Sequence, residues 1–397
     1  MRDQESTEAR ETADAIIIGG GVIGLIVARS LARRGVKRIV LIERERPGAE
    51  ASSAAAGMLA AQVEADSADA FLELALASRS LYSTLAAELL EETGIDIELE
   101  RTGTLYLGFT EEDEREMEAR YRWQRSAGLA VEELSVEEAR RLEPGLSPHA
   151  SRALRFPQDA QVENRLLVAA LARFAELSGV RLLTGTNVES VLTSAGRVTG
   201  VHTSRGTIST PIVIVAAGAW VSFIQTTGDS SSVAATAPPL LRVEPVRGQM
   251  LCFETEARPF RHVVYSPRGY LVPRMDGRLL AGSTTERAGF EKRVTGGGIH
   301  AITRHALEIA PLVEGLPLLD AWAGLRPRAV GSDEWPVIGG CAETPGLYYA
   351  TGHYRNGILL APITGELLAL EITTGVRPRL LEPFTPERFQ QSVAVSG

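Results

Sequence analysis

Three glycines and one acid near the start of the chain have the types and spacing that bind a dinucleotide. Gly19, Gly21 and Gly24 form the pattern G-x-G-x-x-G, and Glu43 follows about 20 residues later. The first glycine permits a tight turn, the second lets the backbone approach a pyrophosphate, and the third lets a helix pack closely on a strand. A carboxylate at the position of Glu43 binds the ribose hydroxyls of an adenosine and repels a 2′-phosphate. These four residues indicate an adenine dinucleotide site and leave NAD and FAD open.

A strand, a helix and a second strand must hold these residues in place. Residues 15–18 are wholly apolar, which is typical of a strand buried in a parallel sheet, and residues 38–42 predict the second strand. The helix between them places unpaired N–H groups and the positive end of its dipole at the phosphates. The alternative is a glycine turn in an α/β protein that binds no nucleotide. The ordered strand, helix, strand and acid favour the nucleotide site.

The bulk composition limits the class of protein. The 397 residues suffice for two domains, 44% of them are hydrophobic, and the formal net charge is −9. This acidic balance argues against a nucleic acid or an anionic membrane as partner. The first dozen residues lack the apolar core of a signal peptide, which predicts a cytoplasmic protein. Cys252 and Cys341 form neither a disulfide framework nor a metal site, so we expect two buried thiols and no bound metal.

Rossmann-like segments alternate with β-rich segments along the chain. An NAD dehydrogenase with a continuous dinucleotide half would not show this order. The order predicts an α/β fold with a discontinuous, Rossmann-like cofactor domain and a substrate domain of antiparallel β-sheet plus helices. The expected ranges are a disordered tail at 1–12, a cofactor domain at 13–95, 150–238 and 325–397, and a substrate domain at 96–149 and 239–324.

Motifs beyond the glycine turn carry a resemblance to a known family. The most specific are 53–59, SAAAGML, and 352–362, GHYRNGILLAP. The others are 19–24, 216–220, 247–249, 270–274, 323–327 and 335–339. With these motifs the chain resembles the amine-oxidising flavoproteins grouped with D-amino acid oxidase, and most closely the glycine oxidases of thiamine biosynthesis. The resemblance implies FAD as the cofactor and a homo-oligomer, a tetramer.

The resemblance also implies which residues hold FAD, from the adenine to the flavin ring. In chain order these residues are Gly19, Gly21, Val22, Ile23, Gly24, Glu43, Arg44, Ser52, Ser53, Ala56, Gly57, Met58, Val188, Ala217, Gly218, Trp220, His353, Tyr354, Arg355, Asn356, Gly357, Ile358 and Leu359. The helix that begins in the last motif is expected to point its N-terminus at the flavin edge that gains negative charge on reduction. The monomeric sarcosine oxidases carry a flavin-linked cysteine in the segment of Arg326. Because Cys341 lies beyond that segment, we expect non-covalent FAD.

Three residues are implied to bind the substrate. Arg326 presents a planar, permanently charged fork that pairs with a carboxylate through two hydrogen bonds. Tyr270 donates its hydroxyl to the same carboxylate, and Arg355 either helps to hold it or orders the loop beside the flavin. The alternatives are a structural arginine at 326 and a packing tyrosine at 270. The chain departs from the best-known relatives at Arg268 and Thr285, which we expect to border the pocket.

The function implied is oxidative deamination of glycine or another small amine, such as sarcosine or a small D-amino acid. The products are the oxo acid, ammonia and hydrogen peroxide, with dioxygen as acceptor, and the imine serves thiamine thiazole synthesis. No side chain is expected to act as an acid or base, because positioning over the flavin suffices. One alternative is a flavin dehydrogenase that passes electrons to a carrier. Others are a non-catalytic FAD-binding subunit and an NAD enzyme.

Overall fold

Three larger β-sheets, one strand pair and the helices packed on them form the fold. The computed structural model describes residues 11–228, 241–331 and 333–389. The strands of these residues are β1 Glu11–Thr12, β2 Ala15–Ile18, β3 Ile39–Ile42, β4 Met58–Leu59, β5 Thr104–Gly108, β6 Glu132–Leu134, β7 Arg152–Phe156, β8 Ala160–Gln161, β9 Arg181–Leu183, β10 Val188–Ser194, β11 Arg197–Thr203, β12 Gly206–Ser209, β13 Val213–Val215, β14 Gln225–Gly228, β15 Val243–Phe253, β16 Val263–Ser266, β17 Gly269–Pro273, β18 Leu279–Gly282, β19 Leu318–Ala329, β20 Val337–Gly340 and β21 Leu347–Thr351.

Longer α-helices cover the sheets, and short 3₁₀ turns connect several elements. The α-helices are α1 Val22–Arg33, α2 Ala51–Ala54, α3 Ala70–Thr93, α4 Glu111–Ser126, α5 Val136–Leu142, α6 Asn164–Leu177, α7 Gly296–Ile309 and α8 Gly357–Thr374. The 3₁₀ turns are Gly218–Phe223, Pro311–Gly315, Arg379–Phe384 and Pro386–Phe389.

The first sheet is the Rossmann-like layer that the glycine motif predicts. Its order is β20-β21-β13-β2-β3-β9, with β20 antiparallel to β21 and the other neighbours parallel. Both β2 and β3 are fully buried, as expected for apolar strands covered on both faces. Helices α1, α3 and α8 pack against one another beside this sheet. Helix α8 is long and apolar enough to cross a membrane, but 61% of it is buried here, and it serves as a core helix.

The largest sheet has eight strands. Its order is β19-β15-β18-β17-β16-β5-β7-β6, and α7 packs on it. The prediction of an antiparallel sheet needs one correction, because β5 pairs with β16 in parallel. These two strands come from segments far apart in sequence, and turn signals do not fix the direction in which such strands meet. A smaller sheet, β1-β12-β11-β10-β14, packs beside the Rossmann-like layer.

The predicted domain boundaries and the sheets differ at two places. Strand β7 lies in the range expected for the cofactor domain, yet it pairs with β5 and β6 in the largest sheet. Strand β19 continues in that sheet beyond residue 325, to Ala329. The expected tail is also shorter, since β1 pairs with β12 through residues 11 and 12. The rest of that tail, residues 1–10, lies outside the described residues.

Candidate active site

A cavity of about 710 Å³ lies between the Rossmann-like layer and the largest sheet. That volume is within the usual range of cofactor and ligand sites. Its walls include the glycine turn, the segment around α2, the start of β10, the turn after β13, the middle of β19 and the start of α8. Segments widely separated in sequence therefore meet around one space.

The glycine turn opens α1 towards this cavity. The N-cap residue, Gly21, has no side chain to cap the helix, and the first turn carries no acid. The Ser52 hydroxyl accepts a hydrogen bond from the Val22 amide at 2.9 Å, and Glu43 Oε2 accepts one from the Gly20 amide at 2.7 Å. A Cβ atom on Gly24 would lie 1.9 Å from the Gly19 carbonyl oxygen, so only glycine allows this packing. The arrangement fits a pyrophosphate at the helix N-terminus and a ribose beside Glu43.

A second helix N-terminus faces the same cavity. Helix α8 begins after Asn356 without a side-chain cap or an acid in its first turn, and Gly357 and Ile358 line the cavity. Unpaired N–H groups and the helix dipole favour negative charge at that point. This matches the expectation for the pyrimidine edge of a flavin.

Small residues leave room for a flat ring between the two helix ends. A Cβ atom on Gly324 would lie 2.5 Å from the Cβ atom of Ala54, and Gly57 has a φ of +71°. A Cβ atom on Gly57 would also lie 2.0 Å from the Val162 carbonyl oxygen. The Trp322 indole donates a hydrogen bond to the Ala54 carbonyl oxygen at 3.0 Å. This wall of small residues is therefore fixed by backbone contacts and fits the planar part of FAD.

One buried arginine holds this wall from behind. Arg274, with 2% of its surface exposed, donates hydrogen bonds to the carbonyl oxygens of Ala56 and Val162 at 2.9 and 2.8 Å. It also donates to Asn164 Oδ1 at 3.0 Å and forms an ion pair with Glu163 at 3.1 Å. The side chain thus ties the segment after α2 to the start of α6.

Replacing Arg274 by methionine is expected to lower the free energy of unfolding by about 3–5 kcal/mol, because the buried Glu163 would lose one of its arginine partners and the carbonyl oxygens of Ala56 and Val162 would lose this donor. Urea unfolding followed by circular dichroism measures the change. Arg278→Met is the matched control, since Arg278 pairs with the same Glu163 but is 26% exposed. Its loss is expected to cost about 1 kcal/mol or less. Equal losses in the two variants would contradict the role given to Arg274.

Arg326 lies at the substrate end of the cavity, on β19. Its guanidinium donates hydrogen bonds to Ser283 Oγ at 2.7 Å and to the Thr284 carbonyl oxygen at 3.0 Å. It crosses β15 at Gly248, where a Cβ atom would lie 2.3 Å from its nitrogen atoms. Tyr270 lines the same cavity, and its hydroxyl donates to Met250 Sδ at 3.3 Å. The structure thus brings the two predicted carboxylate ligands together and fixes the direction of the arginine.

The other residues expected at this end divide into two groups. Arg355 lines the cavity. Thr285, which was expected to border the pocket, does not line it, but its Oγ1 accepts a hydrogen bond from Arg355 at 2.7 Å. Arg268 is elsewhere: it forms ion pairs with Asp113 and Glu308, both at 2.8 Å, and does not line the cavity. The expectation that Arg268 borders the pocket is therefore wrong. Its ion-pair partners lie on helices α4 and α7. Both are distant from Arg268 in sequence, so the sequence alone did not reveal these contacts.

Sequence reasoning missed several cavity residues, and the acid Glu64 is one of them. Tyr265 is a neighbour of its carboxylate. Burial raises the pKa of Glu64, while the charges of Arg355 and Arg326 oppose that rise. A signal was available, since Glu64 is the first charged residue after the small and apolar run that begins at Ala51.

His353 lines the cavity, and its ring contacts another side chain of the same chain. Its Nε2 lies 3.1 Å from the Thr364 hydroxyl, and burial lowers its pKa to about 3. The neutral ring is therefore the form present at neutral pH. This fits a residue that fixes the loop before α8.

The buried His353 predicts an acid-sensitive component of stability. Because its pKa falls from 6.5 in the unfolded chain to about 3 in the folded protein, the unfolded state binds more protons between these values. The free energy of unfolding is expected to fall by about 1.4 kcal/mol per pH unit as the pH drops through this window. His353→Gln should remove that slope, and His202→Gln, at an exposed position, should keep it. Urea unfolding at several pH values tests this, and equal slopes in wild type and His353→Gln would contradict it.

Most of the residues expected to hold FAD do line the cavity. Three do not: Gly24, Ser53 and Leu359. Gly24 faces the Gly19 carbonyl, and Leu359 is buried in the core, where its carbonyl accepts a hydrogen bond from Ser78. Their contribution to the cavity is indirect, through packing.

Aromatic side chains close the adenosine end. The rings of Trp220 and Phe223 lie 5.5 and 5.2 Å from that of Phe290, and the Arg44 guanidinium lies 4.3 Å from the Trp220 ring centre. All four line the cavity, but Phe223 and Phe290 were not among the expected residues. Both are exposed, and Phe290 comes from the segment after β18, so only the fold brings them together.

Both cysteines are free and buried, as the sequence predicts. Neither lines the cavity. The described residues contain no group of His, Cys, Asp and Glu side chains arranged to hold a metal ion.

The chain is similar over nearly its whole length to known flavoproteins. It is 36% identical over 385 residues to glycine oxidase from Geobacillus kaustophilus, covering 96% of this chain and 98% of that protein. The crystal structure of that oxidase matches with a TM-score of 0.87 over 95% of this chain and 99% of the other.

Two further relatives carry other names. Hydrogen cyanide synthase subunit HcnC of Pseudomonas aeruginosa is 34% identical over 96% of this chain and 98% of its own length. The bifunctional protein ThiO/ThiG of Trichormus variabilis is 35% identical over 97% of this chain, which spans 56% of that protein.

A family model described as FAD dependent oxidoreductase matches residues 14–370. Its extent includes every wall of the cavity described above. The chain belongs to the DAO family of FAD-dependent oxidoreductases.

Proposed function

We propose that the protein oxidises glycine, or a similarly small amine, to the oxo acid, ammonia and hydrogen peroxide, with dioxygen as acceptor. The observation that carries this is the position of Arg326 and Tyr270, a carboxylate-binding pair in the same cavity as the two open helix N-termini. The glycine oxidase of Geobacillus kaustophilus, similar over 96% of the chain, supports it. The thiamine role is proposed on the resemblance of the motifs.

The residues of the chain act mainly by positioning. Nη1 and Nη2 of Arg326 donate one hydrogen each to the Thr284 carbonyl oxygen and Ser283 Oγ. The second hydrogen on each of these nitrogen atoms binds the substrate carboxylate. Tyr270 turns its hydroxyl from Met250 to the same carboxylate. FAD, when bound in this cavity, would supply the hydride acceptor and the electron route to dioxygen. Fixing the carboxylate sets the distance and angle of the Cα–H bond, which is where an oriented site gains most.

The FAD contacts are part of the proposal. The glycine turn and α1 bind the pyrophosphate, Glu43 binds the ribose, and the wall at Ala54–Met58 lies along the flavin. Binding is non-covalent, since both cysteines lie outside the cavity. We further propose the cytoplasm as the site of action, a tetramer as the assembly, and two domains. With the boundaries moved to the strand ends in the sheets, their proposed ranges are 13–95, 157–238 and 330–397 for FAD and 96–156 and 239–329 for the substrate.

The competing functions differ in the electron acceptor or in having no reaction. A dehydrogenase would use the same cavity and pass electrons to a carrier. A non-catalytic FAD-binding subunit would not need the buried, hydrogen-bonded Arg326 beside Tyr270. An NAD enzyme gives no account of the α8 N-terminus in the cavity wall.

The visible spectrum of the purified protein, recorded with and without glycine in the absence of air and then after air is admitted, tests the proposal. We expect a flavin spectrum that bleaches with glycine and recovers in air. Bleaching without recovery in air would favour the dehydrogenase. A spectrum unchanged by glycine, sarcosine and small D-amino acids would contradict amine oxidation. A colourless protein that does not take up added FAD would contradict the cofactor site.

A further inference from the structure

The substrate nitrogen still lacks a partner in the cavity. An amino acid offers a carboxylate and an amine, and Arg326 with Tyr270 accounts only for the first. Because the reaction withdraws a hydride from the carbon beside the nitrogen, the amine must be neutral when this happens. The ammonium form, dominant in water at neutral pH, must therefore lose a proton at the site.

Among the described residues, three acids line the cavity. Glu43 accepts hydrogen bonds from the amides of Gly20 and Glu45, which occupy it at the adenosine end. Glu50 forms ion pairs with Arg44 and Lys292, also at that end. Glu64 remains, and it alone of the three acts on the arginines of the substrate end.

The surroundings of Glu64 are mixed in charge. Arg355 and Arg326 attract its carboxylate, while the buried Asp159 repels it, and Tyr265 is a further neighbour. The two arginines favour the ionised form, and burial favours the protonated form, so the pKa of Glu64 is raised. A carboxylate that lines the same cavity as Arg326 and Tyr270 can accept a proton from a bound ammonium group.

The backbone before Glu64 is held firmly. Asp159 accepts hydrogen bonds from the amides of Gln62 and Val63, both at 3.1 Å, and forms an ion pair with Arg79 at 2.6 Å. Asp159 is fully buried. Asp159 directly precedes β8. Its hydrogen bonds to Gln62 and Val63 therefore fix the backbone that places Glu64 in the cavity wall.

We propose that Glu64 binds the substrate amine and takes its extra proton. The proposal rests on the proposed function and adds the group that recognises the nitrogen. In this step one N–H bond of the ammonium breaks, its electron pair stays on nitrogen, and an O–H bond forms on the Glu64 carboxylate. No electrons are transferred, and the proton leaves to water when the product departs. Arg326 and Glu64 together thus select a small molecule that carries an acid and an amine.

The test compares Glu64→Gln with Asp66→Asn. Glutamine keeps the size of the side chain and removes the charge. Asp66 lies two residues further on, with 90% of its side chain exposed and outside the cavity wall, so its variant controls for charge on this segment. We expect kcat/KM for glycine at neutral pH to fall by at least about tenfold in Glu64→Gln, as for loss of a charged hydrogen bond. Asp66→Asn should stay within about threefold of wild type.

Two further readouts separate this role from a structural one. Inhibition by acetate, which has the carboxylate but no amine, should change by less than about threefold in Glu64→Gln, since Arg326 is untouched. The pH profile of kcat/KM should shift, so that the variant gains activity up to the pKa of free glycine's own amine while wild type levels off earlier. Equal losses for glycine and acetate, or an unshifted profile, would overturn the proposal.

A double variant tests whether Glu64 acts only by holding Arg355 in place. If Glu64 only holds Arg355, then adding Glu64→Gln to Arg355→Met should cost nothing more. We expect it to cost at least about fivefold in kcat/KM even in that background. No additional loss would overturn the proposal.

Failure of the proposed function would be seen separately. If the wild-type protein oxidises no amine, its visible spectrum will not change when an amine is added. Calorimetric titration with glycine and with acetate then tests the binding role of Glu64 without turnover. We expect Glu64→Gln to weaken glycine binding at least about tenfold and leave acetate binding within about threefold. Unchanged glycine binding would overturn the assignment of Glu64.

Discussion

Replacing Arg326 by alanine is expected to lower kcat/KM for glycine by at least about 100-fold, mostly through a higher KM. The Arg326 guanidinium lines the cavity and is held by hydrogen bonds to Ser283 and the Thr284 carbonyl oxygen. Truncation removes two charged hydrogen bonds to the substrate and leaves the carboxylate in a cavity with reduced access to water. Steady-state oxygen uptake at increasing glycine concentration measures both constants.

Two variants make this result specific to Arg326. Arg326→Lys keeps the charge but loses the planar fork, so we expect an intermediate loss. Arg328→Ala removes an arginine from the same strand, where it pairs with Glu244 and Glu334 away from the cavity, and should leave KM within about threefold. A change in KM of less than about tenfold for Arg326→Ala would mean that another group anchors the substrate.

Replacing Gly24 by alanine is expected to weaken FAD binding at least tenfold, by about 1.4 kcal/mol, and to destabilise the protein by about 3 kcal/mol. The added Cβ atom would lie 1.9 Å from the Gly19 carbonyl oxygen, which is backbone and cannot turn aside. Helix α1 and the glycine turn must then separate, so that the N–H groups of the helix no longer point at the pyrophosphate. The FAD dissociation constant from fluorescence, together with urea unfolding, measures both effects.

The matched control is Gly297→Ala, in the first turn of α7. A Cβ atom there meets nothing within 4 Å. Alanine also favours a helix by about 0.5–1 kcal/mol over glycine, so this variant should be as stable as wild type or slightly more stable. Unchanged FAD affinity in Gly24→Ala would show that the turn tolerates the extra atom by shifting, and that the close packing is not required.

The parts of the site that follow from neighbouring residues were predictable from the sequence. Gly19, Gly24 and Glu43 belong to one strand–helix–strand unit, and a local pattern fixes their relation. The direction of Arg326 was not predictable, because it depends on Ser283, Thr284 and the missing side chain of Gly248. Each of these contacts joins strands that only the assembled sheet brings together.

Glu64 and the pairing of β5 with β16 show the same limit from another side. In the sequence, Glu64 is one acid after an apolar run. Its carboxylate interacts with the charges of Arg326 and Arg355 only in the folded chain. The parallel pairing of β5 with β16 likewise joins segments about 160 residues apart, for which no turn sets the direction. Local pattern identifies the elements, and long-range packing decides which side chains share a cavity.

The wide spacing of the cavity walls has a consequence for how the protein is made. Its lining runs from Ile18 to Ile358, and the central strands β2, β13 and β21 enter the same sheet from distant parts of the chain. A nascent chain leaving the ribosome at about 5–20 residues per second would expose the glycine turn well before α8 exists. The complete FAD cavity therefore forms only after translation has passed residue 358, and until then strand β2 lacks neighbours that come from later parts of the chain.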